Sequence, residues 1–238
     1  MEWYQKLGFK DNPFSVDPRA NHNKLVSMDD AVDEIFYRID AGSLLVIETL
    51  PGCGKTTLLM MAAKKFGGKK NVVYVDCIAV AKTLNITRVL QDKYGMLGRL
   101  INKKPKNMIV LLDNVQYLSK KNTERLKYYF DQNYIKSIIF TSGSYRQAKF
   151  SDSLRDRIGS RVIKIKKLSP DEAVEIVRKR IGDLDLFNDS LIKKIFKMSD
   201  FSVQKLLQNC ERSARSAAQK NRKRVQLADL KVLMSDEK

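Results

Sequence analysis

The chain has 238 residues, 43% of them hydrophobic and 30% charged, which is enough to bury a core and too apolar for a chain disordered by composition. Forty-five Lys and Arg against 27 Asp and Glu leave a net charge of +18, spread over both halves, a field that attracts nucleic acid first and acidic membrane surfaces second. Three widely spaced cysteines and a single His22 argue against a disulfide framework, a cysteine zinc site, Ser/His/Asp catalysis and a multi-histidine metal centre.

An N-terminal arm and a first helix fill residues 1–42. Short aliphatic and β-branched runs then recur at Ser43–Glu48, Asn71–Asp76, Met108–Leu112, Ser137–Thr141 and Arg161–Ile165. The middle three are nearly continuous apolar stretches, as expected of parallel strands covered on both faces. Helical patterns at Lys55–Phe66, Thr83–Tyr94, Thr123–Tyr134 and Asp152–Ile158 lie between them. Strands alternating with helices predict an α/β domain over residues 1–166: a three-layer αβα core around a parallel five-stranded sheet. From Ser169 onward the pattern is helical only. Ser169-Pro170-Asp171-Glu172 reads as a cap followed by Pro at the first helical position, opening Asp171–Ile181. Ser190–Met198, Val203–Gln219 and Leu227–Met234 follow, so residues 167–238 read as a small all-helical domain. No stretch approaches the ~18 consecutive apolar residues of a membrane span, and the first twenty residues lack the apolar run of a secretory signal. A cytoplasmic protein with no direct membrane insertion is expected.

The sharpest signal follows the first strand, at Thr49-Leu50-Pro51-Gly52-Cys53-Gly54-Lys55-Thr56-Thr57. Gly52 and Gly54 let backbone N–H groups converge on phosphate oxygens. Lys55 supplies a charge for the β- and γ-phosphates, and Thr56 a hydroxyl for Mg²⁺. The helix that follows aims the positive end of its dipole at the same anion. Thr49 stands where the pattern G-x-x-x-x-G-K-S/T has its first glycine. It restricts the turn and leaves the cradle intact. A second acid for the metal ends an apolar strand at Asp113, which would act through the metal's water shell. The next residue decides how reactive the site is. A hydrolytic enzyme of this class needs a carboxylate there to polarise the attacking water, and this chain has Asn114, a neutral amide that can orient water but cannot take its proton.

Together these segments resemble an AAA+ ATPase, a P-loop NTPase with a helical lid. The Pro51–Thr57 loop is similar to Walker A and Leu111-Leu112-Asp113 to Walker B. Ser160–Ile165 followed by Leu168–Ala173 is similar to the passage into the AAA+ lid. Within that superfamily the chain resembles the origin-recognition-like ATPases and the secretion and transposition helper ATPases. The latter share the Leu7-Gly8-Phe9 and Asn12-Pro13-Phe14 echoes and an Asp-Glu-Ala-Gln box, which appears here as Asp113-Asn114-Val115-Gln116. The resemblance implies ATP and Mg²⁺ as ligands. It places sensor 1 at Ser142 or neighbouring Thr141, an arginine finger for a neighbouring subunit at Arg157 or Arg161, and adenine contacts at Phe14 and Val26. At the sensor-2 position the family's arginine is replaced by Gln204. An oligomer, or a second protein that gives or receives the finger, is implied.

On the Val203 helix, Arg212, Arg215 and Arg222 share one face, and Lys223 and Arg224 extend it. This face is the candidate contact for a phosphate backbone. The expectation is a DNA-associated ATPase of loader, initiator-like or transposition-helper type, slowed by Asn114. The alternative is a switch or scaffold that binds ATP, does not hydrolyse it, and recruits a protein partner.

Overall fold

In the computed structural model, residues 2–19, 25–67, 71–80, 84–92 and 106–234 are described. The chain divides into two compact units. One comprises Met28–Pro51 and Lys55–Lys166, and the other Met1–Ser27, Gly52–Gly54 and Lys167–Lys238.

The apolar runs of the first unit form five parallel strands: β1 (Leu44–Glu48), β2 (Val72–Asp76), β3 (Met108–Asp113), β4 (Ile135–Ser142) and β5 (Val162–Lys164). They pair in the order β2-β3-β4-β1-β5. Residues alternate between the two sheet faces along each strand, and both faces are covered. Leu44, Val46, Val110, Leu112, Ile138 and Phe140 form one core with Leu126, Leu154 and Ile158. Leu45, Ile47, Leu111 and Ile139 are equally buried, and the helices Asp29–Asp40 and Lys55–Phe66 pack against the sheet. Burial on both faces is why β1 and β3 carry no polar residue until their carboxyl ends. There the register sets Asp76 opposite Asp113 and Glu48 opposite Ser142. In open α/β sheets, ligands bind outside those ends, where the strand order reverses.

The predicted strands and helices are all present where they are described, with shifted boundaries. The helix expected at Thr123–Tyr134 runs Lys120–Asp131, because Ser119 caps it by accepting the Asn122 N–H, and Asn133 turns out of it with φ +57°. β5 is shorter than expected and only half-buried, as suits an edge strand. Within the predicted Thr83–Tyr94 helix, Ile86–Gln91 is helical and capped by Asn85; residues 83, 93 and 94 lie outside the described residues.

In the second unit, Ser169 and Glu172 close a capping box at the start of Pro170–Ile181. The helices Asp189–Met198 and Val203–Gln219 follow, then a short helical turn at Leu227–Leu230 that continues into Lys231–Met234. The sequence grouped residues 1–42 with the α/β core. The structure instead packs Met1–Ser27 with this helical unit. The physical reason is aromatic: Phe14 is fully buried among the helical residues, edge-on to Phe187 at 5.8 Å and stacked on Trp3 at 6.4 Å.

Candidate functional site

The loop after β1 turns on two glycines with positive φ, Gly52 at +77° and Gly54 at +90°, conformations costly to any residue with a Cβ. It delivers Lys55 to the first position of the helix Lys55–Phe66. The lysine is 8% exposed, and its ammonium donates to the carbonyls of Thr49 (2.7 Å) and Leu50 (2.9 Å). A phosphate in front of the loop would be a fitting partner for this buried cation.

One helical position on, the Thr56 hydroxyl donates to Asp113 Oδ2 at 2.5 Å. Asp113 is 1% exposed and is held from three sides. Thr141 donates to Oδ1, and Tyr74 donates to Oδ2 at 3.2 Å. Burial, together with the neighbouring Asp113 and Asp76, pushes the Tyr74 phenol above its ordinary range, so it stays a donor. The same influences push the Cys77 thiol up to about 12, which keeps it protonated and inert. Thr56 and Asp113 are hard oxygen donors of the type Mg²⁺ takes. Among the described residues no three His, Cys, Asp or Glu side chains converge. A metal held by this pair therefore needs phosphate oxygens and water to fill its shell, and the residues fit a metal that arrives with a nucleotide.

Asn114 adopts the left-handed conformation (φ 58°, ψ 47°), which asparagine tolerates better than most residues. Its backbone N–H donates to Thr141 Oγ1 at 3.2 Å, and its side-chain amide donates to Asp76 Oδ1 at 3.3 Å. Thr141 thus ties Asn114 and Asp113 together, while Ser142, also buried, sets its hydroxyl 3.2 Å from Gln116 Oε1. The structure therefore brings Lys55, Thr56, Asp113, Asn114 and Ser142 to one end of the sheet. Sequence reasoning missed Tyr74 and Asp76. Asp76 ends an apolar strand as Asp113 does, and that was the available signal.

Residues 43–174, more than half of the chain, match the family described as an AAA domain. The chain belongs to this family of AAA+ P-loop NTPases. No curated protein sequence matches it. Among solved structures it is similar in fold to the Aeropyrum pernix Orc1 protein in complex with DNA, at TM-score 0.74 and 12% identity, covering 94% of this chain and 68% of that one. It is similar to Cdc6p from Pyrobaculum aerophilum, at TM-score 0.73 and 15% identity, covering 93% and 69%. A third similar structure is the Thermotoga maritima RuvB Holliday junction branch migration motor, at TM-score 0.62 and 16% identity, covering 87% and 69%.

The remaining AAA+ positions expected from the sequence are placed as follows. Phe14 and Val26 are 0% and 3% exposed and belong to the core of the helical unit. Neighbouring side chains of that unit cover both. Gln204 is exposed on the first turn of the Val203–Gln219 helix. Arg157 is half-exposed, pairs with Asp131 at 2.9 Å and lies over the Phe130 ring. The Asp131 carboxyl is held below its ordinary value by the hydrogen bond from Lys127 and, with burial opposing, by the Arg157 charge. Arg161 donates to the Arg157 carbonyl, and its buried Nε lacks a partner among the described residues.

The basic face of the second unit is narrower than expected. Arg222 and Lys220 both pair with the buried Asp229, so Arg222 serves the interior. Arg215 pairs with Glu211 at 2.9 Å and Arg224 pairs with Asp185. Arg212, Arg215, Lys223 and Arg224 remain exposed.

Proposed function

We propose that this AAA+ chain binds ATP with Mg²⁺ at the Lys55 loop, hydrolyses it slowly, and works on DNA as a loader, initiator-like or helper ATPase. The observation that carries the reading is the meeting of Thr56 and Asp113 at 2.5 Å beside the buried ammonium of Lys55. That arrangement supplies a hydroxyl, a carboxylate and a cation at one point in front of a helix N-terminus. Thr56 and Asp113 would hold Mg²⁺, which when bound would supply positive charge to offset that of the phosphates. Lys55 exchanges its two carbonyl partners for phosphate oxygens. Thr141 and Tyr74 hold the Asp113 carboxylate in place, and Ser142 with Gln116 presents polar atoms beside the γ-phosphate position. Pro51, Cys53 and Thr57 complete the loop wall. Asn114 stands where a carboxylate would activate water, which limits the rate.

The DNA assignment rests on the +18 charge and on the exposed Arg212, Arg215, Lys223 and Arg224. Likeness in fold to a structure of Orc1 in complex with DNA supports it. Arg157 or Arg161 would act as a finger on a neighbouring subunit or partner protein. Arg157 would first have to leave Asp131, so assembly and finger release would be coupled. A cytoplasmic location, with ATP and DNA at hand, belongs to the same reading.

A second reading, an ATP-dependent switch without turnover, is favoured by the neutral Asn114. Steady-state phosphate release, with and without duplex DNA, separates the two. Turnover that DNA stimulates and that Lys55→Ala abolishes supports the ATPase; ATP binding with no release under either condition supports the switch.

A further inference from the structure

The carboxylate missing at Asn114 has a counterpart one strand away. Asp76 closes β2 in register with Asp113 of β3, and the Asn114 side-chain amide donates to its Oδ1 at 3.3 Å. Oδ1 also accepts the Ile78 N–H at 3.1 Å. Among the described residues no hydrogen bond reaches Oδ2. Asp76 is partly exposed at the carboxyl end of the sheet. The amide at 114 cannot accept a proton, but it holds a group that can. The left-handed backbone of Asn114, fixed through its N–H to Thr141, keeps that amide in place.

We propose that Asp76 is the general base of the ATPase reaction, with Asn114 orienting it. This rests on the reading of the Lys55 loop as the ATP site. Asp76 Oδ2 and the Asn114 amide would hold one water in line with the γ-phosphorus. As the water oxygen bonds to phosphorus, its proton passes to Asp76. The bond from phosphorus to the β–γ bridging oxygen breaks, and its electron pair leaves with ADP. Asp76 then releases the proton to solvent along with inorganic phosphate, and no further reactant is needed.

Asp76 also has a local structural use, since its contact with Ile78 caps the short helix Cys77–Val80. Asparagine keeps that acceptor and loses the base, so Asp76→Asn separates the two roles. Three measurements are made on the whole chain: binding of a fluorescent ATP analogue with Mg²⁺, single-turnover release of phosphate from ATP, and trapping of ADP with aluminium fluoride, which mimics the in-line transition state. The variant is expected to bind the ATP analogue within about threefold of the parent. Phosphate release should fall by ~10²-fold or more, the usual range for removing a general base, and the aluminium fluoride complex should be lost. An unchanged release rate with normal binding overturns the proposal, as does a parent protein that binds ATP but never releases phosphate. If the parent binds no ATP analogue, the ATP-site reading itself fails. Should Asp76→Asn lose analogue binding, Asp76→Glu decides: a displaced carboxylate should slow release by ~10-fold or more at unchanged affinity, and an unaltered rate overturns the assignment.

Discussion

Replacing Lys55 with Met should leave the ligand-free protein almost as stable as the parent while abolishing its response to ATP. Lys55 is 8% exposed, and its ammonium donates to two backbone carbonyls at 2.7 and 2.9 Å. Each such charge-assisted bond contributes about 1.5–3 kcal/mol. Against them stands a desolvation penalty of roughly several kcal/mol for a buried ammonium. The two nearly cancel, and Met keeps the apolar stem, so the ligand-free midpoint should move by only about 2 °C or less, at ~2–4 °C per kcal/mol for a chain of this length. Saturating ATP changes the comparison. At a concentration ~100 times the dissociation constant, binding stabilises the parent by about 2.7 kcal/mol, or ~5–10 °C. If the lysine–phosphate contact accounts for ~100-fold in affinity, the variant at the same ATP concentration keeps about 0.4 kcal/mol, roughly 1 °C. Differential scanning fluorimetry with MgATP measures both numbers. A Met variant that shifts as far as the parent would refute the phosphate role of Lys55, and a large loss of ligand-free stability would refute the cancellation.

Other substitutions test the surroundings. Asp229 is buried and accepts from Ser216, Lys220, Arg222 and the Gln226 N–H, so Asp229→Asn should cost about 2–4 kcal/mol in urea denaturation. Burial pushes its pKa up, but the Gln226 N–H and the hydrogen bonds from Arg222, Lys220 and Ser216 outweigh that and hold it below the ordinary 3.8. Its folded value being depressed, its stabilisation is fully present above that ordinary value and is lost as pH falls through the folded one; an acid titration of the Asn variant should lack this loss. Thr141→Val would leave a buried carboxylate oxygen and the Asn114 N–H unpaired, costing about 1–3 kcal/mol in denaturant melts and weakening MgATP binding. In DNA mobility shifts, Arg212→Ala combined with Lys223→Ala should reduce affinity and flatten the salt dependence by up to ~2 in slope. Arg222→Ala should instead lower stability, because its guanidinium serves Asp229.

The parallel sheet was legible because strands buried on both faces cannot hide their apolar runs, and β2, β3 and β4 read as such directly. Lys55, Thr56 and Asp113 were legible for a related reason: phosphate and metal chemistry restricts which residues can occupy those points. Asp76 carries the same signature as Asp113, an apolar run ending in an acid, but its relevance depends on β2 pairing with β3 in the register that brings it to Asn114. No local pattern records that register. The packing of Phe14 was not legible because a lone aromatic after Asn12-Pro13 has no period, and its partner Phe187 is remote in sequence. Arg222 shares the helical phase of Arg212 and Arg215, yet the chain leaves the helix after Gln219 and turns it toward Asp229. The helix over Lys120–Asp131 begins early because Ser119 caps it, accepting the Asn122 N–H.

Titration calorimetry of the whole chain with ATP, with Mg²⁺ and then with EDTA, addresses the metal-and-triphosphate site most directly. Saturable one-to-one heat that weakens sharply once the metal is chelated is the outcome these residues predict. No heat with MgATP, or binding indifferent to the metal, would contradict a site built on Lys55, Thr56 and Asp113.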